Sequence, residues 1–521
     1  MMQQTHPCPE HDVAIVGLGP VGATLANLLG RLGLRVLILE REDEAYGLPR
    51  AVHFDDECMR IFQAAGLADE MAAITAPSKG MRYVDAEGNV IIESPVSQEI
   101  TQHGWRHGYR FHQPDLEAVL SRGLARWPNV QVMRRADVFA LEQRERDVCM
   151  RFEDLSSGRI RSARATFVVG CDGARSTVRR FIGSGWIDLG FHERWLVADL
   201  LLKVPRPDLG EISVQHCNPA RSSTYVSGLG KRRRWEIRLQ PDETSKAMMQ
   251  PQRLWQLLAQ WLTPDEADIE RQAVYTFHSA LAETWRAGRL FLAGDSAHQT
   301  PPFLGQGMCA GIRDASNLAW KLAAVIRGRA CDTLLDSYQQ ERASHVREYI
   351  ELAVTLGGVI NTTAMNPVLP NSSRTDGNSI RLNRQKPMLG RGFAFGCSSL
   401  IGRQIPQPVL SDGCRLDEVV GQRFCLLMAS GLAEQLTSEA LALLEENGVQ
   451  LIADTAPELQ RWLAETGHTA ILVRPDRYVC GGADTAAGIL ALLVAAFERP
   501  SFATSSHSLS IPEVSSSIGE A

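Results

Sequence analysis

The sequence predicts an α/β protein: a Rossmann-type dinucleotide-binding unit interleaved with an antiparallel-sheet domain, with a smaller α/β region after them. Three observations carry that prediction. An apolar run near the N-terminus leads through the glycine turn GLGPVG into a helix-patterned stretch. Strand-patterned segments from 195 to 240 break the α/β alternation. From 397 to 500 strands and helices alternate again.

The first unit is the most legible. Asp12 to Val16 reads as a buried strand, and Gly17, Gly19 and Gly22 follow in G-x-G-x-x-G spacing. The first glycine allows the tight turn, the second lets backbone approach a pyrophosphate, and the third lets the helix lie close to the sheet. Pro20 falls at the helix start, where its missing N–H costs nothing. The N–H groups of that first turn offer partial positive charge to an anion. Arg35 to Leu39 is the second strand, and Glu40 closes it, placed to accept hydrogen bonds from an adenosine ribose, with Arg41 beside it. The motif does not choose between FAD and NAD(P).

Further along, Gly47-Leu48-Pro49 marks a turn and Asp56 to Ala65 a helix ending at Gly66. Arg50, in the returning loop, is placed to touch a cofactor phosphate or ring, or is a surface charge. Residues 81 to 112 alternate as strands, with a Glu-Gly-Asn turn. Gln113 to Arg126 is a helix with Leu116, Val119, Leu120 and Leu124 on one face. Strands follow at 130–132 and 138–141, then a hairpin around Ser156-Ser157-Gly158. Ala165 to Val169 is a buried strand ahead of GCDGARSTVRR. The block from 195 to 240 reads as antiparallel sheet, and Pro251 to Trp261 as a helix. Leu290 to Ala293 is a last parallel-type strand, followed by long helices at 308–327 and 333–356. These readings divide the chain into a dinucleotide unit, 10–190 with 275–360 returning to it, and an antiparallel-sheet domain, 191–274. A connector, 361–396, the α/β region, 397–500, and a Ser-rich mobile tail, 501–521, complete it. There is no internal repeat.

Composition narrows the function. A formal net charge of −6 argues against a nucleic-acid surface, and the basic run Lys231 to Arg234 reads as a hairpin cap. Eleven cysteines occur without a C-x-x-C or a metal-like Cys/His spacing, which suits reduced thiols in a cytoplasmic protein and no metal site. The N-terminus lacks the apolar core of a signal peptide. The longest apolar run, 486–497, is too short to span a bilayer and reads as a core helix.

Three separated segments agree with one family: GLGPVG with Glu40; Cys171-Asp172-Gly173-Ala174-Arg175-Ser176-Thr177-Val178-Arg179; and Gly294-Asp295-Ser296-Ala297-His298 running on to Pro301-Pro302 and Gly305-Gln306-Gly307. Together they resemble the single-component FAD-dependent aromatic hydroxylases, over roughly residues 10 to 360. RAVHFDDECMRIFQAAGL and LVRPDRYVCGG are most similar to the 3-(3-hydroxyphenyl)propionate hydroxylases within that group. The C-terminal region resembles the thioredoxin-like third domain of phenol hydroxylase relatives. Lacking C-x-x-C, it implies packing or dimer support, not redox chemistry.

The resemblance implies bound FAD, NADH or NADPH as electron donor, O₂, and a phenolic acid as substrate. The closer resemblance implies 3-(3-hydroxyphenyl)propionate (or 3-hydroxycinnamate), oxidised to its 2,3-dihydroxy product, with another phenol of the same family as the alternative. It places Asp172 and Gly173 on the cofactors, Asp295 on the ribityl hydroxyls, and the Gly305–Gly307 turn with its helix dipole at the pyrimidine edge of the flavin. Gln113 and Arg50 contact the flavin, and Arg175 and Arg179 meet pyrophosphate or nicotinamide-cofactor phosphates. The plain alternative is a helix N-cap at Asp172 with solvated arginines. His298 reads as a structural histidine. A phenol has a pKa of about 10, so a hydrogen-bonding base belongs near the substrate hydroxyl. His53 and Tyr225 are the candidates, with Arg238 as partner for a substrate carboxylate. A flavin halogenase is disfavoured because no W-x-W-x-I-P segment occurs, and a non-catalytic flavoprotein is a further alternative. The absence of a second G-x-G-x-x-G leaves no separate NAD(P)H domain. The sequence leaves the oligomeric state open, and the resemblance admits a homodimer.

Overall fold

The structure is a computed structural model that describes residues 9–44, 50–362, 369–375, 379–384 and 386–498. The expected turn at Gly47–Pro49 and the expected tail lie outside the described residues.

The first sheet has eight strands. Its parallel run is ordered Leu290–Leu292, Arg159–Gly170, His11–Val16, Val36–Leu39, Val130–Met133. The strands are apolar at successive positions because helices cover both faces; Val13 to Val16 and Val36 to Leu39 are all buried. Val16 pairs with Gly170 and with Leu39, and Gly170 pairs with Leu292. Four neighbouring strands therefore end level, and the segments that begin at Gly17, Glu40, Cys171 and Ala293 leave from one edge of the sheet. The helix Pro20–Arg31 starts at the glycine turn, with Gly19 as N-cap and Pro20 in its first turn. The helix Gly307–Ile326 packs beside it. Gly311 permits that approach, because a Cβ there would stand 2.5 Å from the Val21 side chain.

The chain leaves this sheet after Gly170 and lays down five strands of a second, ten-stranded sheet before returning at Leu290. Trp186–Leu202 and Ala267–Ala282, of 17 and 16 residues, form its spine, flanked by Arg232–Arg238, Ser223–Ser227 and Ser213–His216. Two expectations are corrected. The second domain is larger than 191–274, because Gly80–Val84 and Val90–Pro95 join it. The segment 361–396 is also not merely a connector, since Ser372–Arg374 and Ile380–Leu382 extend the sheet's far edge. Nor is the sheet wholly antiparallel: Ser213–His216 runs parallel to Gly80–Val84, and Ile380–Leu382 parallel to Val90–Pro95. The strand pattern was readable at 81–95, though not its distant partners; the short strands at 372–382 were not readable.

Alternation splits the second sheet into two faces. Leu196, Trp235, Ile237 and Tyr225 turn to one side and are covered by the helix Pro251–Leu258 through Leu254 and Leu258. Tyr83, Trp195 and Cys217 turn to the other, where Phe303 and Leu356 of the first domain meet them. The run at 231–234 is more than a hairpin cap: Arg234 is buried and its Nε donates to Asp199 at 2.7 Å.

The C-terminal region has a four-stranded sheet ordered Gln450–Ile452, Cys425–Met428, Ala470–Val473, Val479–Ala483, with the first pair parallel and the others antiparallel. Buried ion pairs tie it to the first domain: Arg60 Nε to Asp417 at 2.6 Å, and Arg474 to Glu341 at 2.8 Å. No helix among the described residues is long and apolar enough to cross a membrane. Ala486–Phe497 buries Ile489, Leu492 and Leu493 in the local core.

Candidate active site

The sheet edge assembles the three motifs in a row. Strands lie about 4.8 Å apart, so Asp295, Asp172, the Gly17–Gly19 turn and Glu40 spread over roughly 15 Å, the reach of an extended dinucleotide. Gly17 has φ +101°, and a Cβ there would sit 2.5 Å from the Cys171 carbonyl oxygen. A Cβ on Gly22 would strike the Gly17 carbonyl. Gly19, Gly173 and Gly307 differ: a Cβ on any of them meets nothing within 4 Å. The first and third glycines of the motif are thus demanded by the fold. The second, with Gly173 nearby and Gly307 at the start of its helix, keeps bare backbone toward open space, as a pyrophosphate and a flavin ring require.

The polar groups are partly committed already. Glu40 accepts from Leu18 N at 2.6 Å and from Glu42 N at 2.8 Å, so it braces the glycine turn. Arg41 is exposed and pairs with Glu42 at 2.8 Å. Asp172 accepts from Thr177 N at 2.7 Å and Val178 N at 3.2 Å, while its Oδ1 is buried with no partner. Burial raises the pKa of this carboxyl. It therefore caps the helix Thr177–Ile182 through one oxygen and leaves the other for a cofactor hydroxyl. Arg179 is not solvated: it donates to Ser296 O at 3.1 Å and Ala174 O at 2.8 Å, and stacks on Trp186. It laces the second motif to the third and is not placed to meet a phosphate. Arg175 is exposed.

Asp295 is exposed at the end of Leu290–Leu292, and its loop is held from below. Asp314, about two turns into the helix Gly307–Ile326, accepts from Gly294 N at 3.0 Å, from His298 Nε2 at 2.7 Å and from Arg342 Nε at 2.8 Å. Burial alone would raise the pKa of Asp314, but the His298 ring and the Arg342 guanidinium hold it down at about 2. His298 is fully buried in this cluster, as a structural histidine.

At the other end of the slot the Gly305 turn meets the loop at 50–53. Gln113 Oε1 accepts from Arg50 N at 2.7 Å and Ala51 N at 2.8 Å, so its side chain shapes that loop. The Arg50 side chain is exposed, and its carbonyl accepts from Arg234 at 2.6 Å. His53 lies between Gly108 and Gly305; a Cβ on Gly305 would be 3.4 Å from its Nδ1. Burial lowers the His53 pKa, which keeps the ring neutral and able to accept a proton. Gln306 is clamped by Arg313 at 3.1 Å, and Arg313 also pairs with Asp55 and Glu57. Burial would raise the Asp55 pKa, but Arg313 and Arg384 hold it well below the usual carboxylate range. Asp55, Cys58 and Cys309 are the one group of potential metal ligands among the described residues, and the carboxylate of that trio is already taken by the two arginines.

Two catalytic candidates fare differently. Tyr225 is corrected: it is buried on the face under Pro251–Leu258, packs on Trp235 and gives its hydroxyl to Gly210 O at 3.0 Å. Strand alternation turns it away from the first domain. Arg238 is half-buried and pairs with Trp195, on the face that meets the first domain. Sequence reasoning passed over Asp314, Arg342 and Asp55, and gave Ser296 and Gln306 no role beyond their motif; all five act through other residues. The acid-rich FDDE run was the one visible hint.

Fold and site together define a flavin-dependent aromatic hydroxylase. The chain belongs to the FAD binding domain family, which its residues 10–353 match, and residues 402–497 match the HcaD C-terminal domain. It is 38% identical over 504 residues to a probable NADH-specific resorcinol 4-hydroxylase of Rhodococcus jostii (strain RHA1), covering 92% of this chain and 93% of that one. It is 33% identical over 530 residues to a 3-(3-hydroxy-phenyl)propionate/3-hydroxycinnamic acid hydroxylase of Escherichia coli (strain SMS-3-5 / SECEC), again covering 92% and 93%. Among solved structures it is similar to aklavinone-11 hydroxylase with FAD and aklavinone, at TM-score 0.79 and 24% identity, covering 95% of this chain and 100% of that one. It is also similar to the flavin-dependent monooxygenase PieE with FAD and substrate, at TM-score 0.81 and 20% identity, covering 94% and 99%.

Proposed function

We propose that this protein hydroxylates the ring of a small phenol with O₂ and NADH. The bare backbone at Gly19 and Gly173, in the turns that leave one sheet edge, and at Gly307, the start of the helix packed beside Pro20–Arg31, carries the reading. Bound FAD supplies the redox chemistry, taking a hydride from the nicotinamide and activating dioxygen. The residues of the chain hold and enclose it. Gly17, Gly19 and Gly22 with the helix at Pro20 receive the pyrophosphate, and Glu40 with Arg41 stands at the adenosine end. Asp172 and Gly173 flank the middle, where the second carboxyl oxygen of Asp172 accepts a hydroxyl. Asp295 takes the ribityl chain. Gly307 presents its N–H to the flavin ring, with the dipole of a 20-residue helix behind it, while the Gly305 N–H closes the turn onto Pro302 O at 2.8 Å. Gln113 and Arg50 frame the opposite side. His53, half-buried beside Gly305 with its pKa lowered by desolvation, is the candidate on this wall to take a proton.

The names of the relatives offer two substrates, 3-(3-hydroxyphenyl)propionate and resorcinol, and one a donor, NADH. A phenolic acid needs a cation, for which Arg238 is the candidate. Resorcinol needs only hydroxyl acceptors, and the 38% identity of its hydroxylase favours it as the second reading. The sheet order of the C-terminal region, with its second strand parallel to the first and the third and fourth antiparallel, supports a thioredoxin-like fold for it. It has no C-x-x-C, so we assign it to packing and to support of a homodimer in the cytoplasm. The purified protein is expected to be yellow and to oxidise NADH faster with one of the two phenols, giving a product with one more ring hydroxyl. No acceleration by any phenol, with NADH or NADPH, overturns the hydroxylase reading.

A further inference from the structure

The second sheet presents one cross-strand row to the first domain. Tyr83 pairs with Gln215, Gln215 with Thr224, Thr224 with Glu236, Glu236 with Val197, and Val197 with Ala273. The row is placed at both ends. Tyr83 Oη donates to Phe303 O at 3.4 Å, just ahead of the Gly305 turn. Arg234, two residues before Glu236 on the same face, donates to the carbonyl of Arg50. Glu236 thus faces the gap framed by the two loops that close on the flavin end of the slot.

Its neighbours leave this acid without a hydrogen bond, with only a long ion pair to Arg234. Glu236 is 8% exposed, yet among the described residues no donor comes within hydrogen-bond distance of its carboxyl. Arg234 Nη1 is 3.8 Å away and gives its bonds elsewhere: Nε and Nη2 go to Asp199 at 2.7 and 3.2 Å, and Nη1 to Arg50 O. Arg271 also turns to Asp199, at 3.2 Å. Thr224 Oγ1 donates to Gln215 Oε1 at 2.6 Å, and Gln215 Nε2 to Ser223 O at 3.1 Å. The row therefore holds one carboxyl with no hydrogen-bond donor, and the two arginines beside it are each bonded to Asp199. Burial raises the Glu236 pKa above its ordinary value, with Arg234 opposing the shift.

We infer that Glu236 accepts a hydrogen bond from a ring hydroxyl of the substrate and so selects an uncharged polyhydroxybenzene over a phenol that carries a carboxylate. A buried carboxylate lacking a donor gains most from a ligand hydroxyl and opposes a second anion in the same low-dielectric space. The inference rests on the hydroxylase reading and deepens it.

Binding is read without turnover, from the change in flavin absorbance when resorcinol or 3-(3-hydroxyphenyl)propionate is titrated into the FAD-loaded protein. Wild type is expected to bind resorcinol at least about tenfold more tightly than the phenolic acid. Glu236→Gln should weaken resorcinol about tenfold or more and narrow the gap between the two ligands, while FAD content and melting temperature hold. Glu236→Asp should recover part of the loss. The inference is overturned if E236Q binds resorcinol as wild type does. It is also overturned if wild type prefers the phenolic acid and Arg238→Met removes that preference. A protein whose NADH oxidation no phenol accelerates sinks the hydroxylase reading itself; normal phenol turnover with an indifferent E236Q sinks the inference alone.

Discussion

At the scale of single residues, the three glycines of the first motif have separable jobs. Gly22 and Gly17 exclude a side chain because backbone of the same protein stands in the way, at the Gly17 and Cys171 carbonyls. Gly19→Ala has no such obstacle, since a Cβ there meets nothing within 4 Å. We therefore expect G19A to fold with an unchanged apoprotein melting temperature but to hold FAD about tenfold or more weakly, by flavin fluorescence titration. G22A should instead be recovered poorly or melt well below wild type. Equal behaviour of the two variants would show that the open space at Gly19 is not the pyrophosphate path. Tyr225 allows a second test. Its hydroxyl serves Gly210 O on the face away from the flavin end, so Tyr225→Phe should cost about 1 kcal/mol of stability and leave kcat/KM for the phenol unchanged. A large fall in kcat with intact FAD binding would return Tyr225 to the chemistry.

At the scale of elements, the loop that carries Asp295 is fixed by a buried carboxylate on the neighbouring helix. Asp314 accepts from Gly294, His298 and Arg342, and its folded-state pKa of about 2 lies below the ordinary value of about 4. A depressed carboxyl contributes stability that is complete above the unfolded pKa and is lost as pH falls through the folded one. The window here is about pH 4 down to 2, and the size about 2–3 kcal/mol. Asp314→Asn should be less stable than wild type at neutral pH by about 3–5 kcal/mol, because Arg342 is left buried without its anion. It should also show a shallower loss of stability through the acid window. Urea melts of the holoenzyme at pH 7, 4 and 3 check both, and parallel slopes would exclude Asp314 as the titrating group. This cluster also marks the limit of what the sequence discloses. The glycine turn, Glu40 and the carboxyl-end placement of Asp172 and Asp295 follow from local pattern and strand polarity. Asp314 lies twenty residues from the glycine it holds, inside a helix whose periodicity says only that it is amphipathic. Tyr225 was misread for a related reason: alternation separates two faces but does not say which one meets the flavin domain until pairing is known. The edge strands at 372–382 were hidden because three-residue strands carry no period.

At the scale of the whole molecule, the C-terminal region is joined to the first domain by charges removed from water. Arg60, on the helix Asp56–Ala64, reaches Asp417 at 2.6 and 2.9 Å, and Asp417 also holds Arg477 at 2.9 Å. Glu341 takes Lys321 at 2.7 Å and Arg474 at 2.8 Å, Asn317 donates to Asp476 at 3.2 Å, and Tyr478 donates to Glu57. Glu57 in turn pairs with Arg313, which clamps Gln306 in the flavin turn, so the contact runs from the C-terminal sheet to the site through bonded neighbours. Opening this interface alone would strand several charges in low dielectric, and each unpaired one is worth about 3–5 kcal/mol. The two parts should therefore unfold together. Calorimetry of the holoenzyme should give one transition, coincident with flavin release and with loss of far-UV dichroism. Arg60→Met should lower its stability by about 3–5 kcal/mol without dividing the transition, because the Glu341 cluster still spans the junction. Removing both anchors, with Arg60→Met and Arg474→Met in one chain, should separate the C-terminal melt from flavin release. If wild type already melts in two steps, with flavin retained through the first, the buried pairs do not couple the C-terminal region to the site, and its role is independent of the flavin domain.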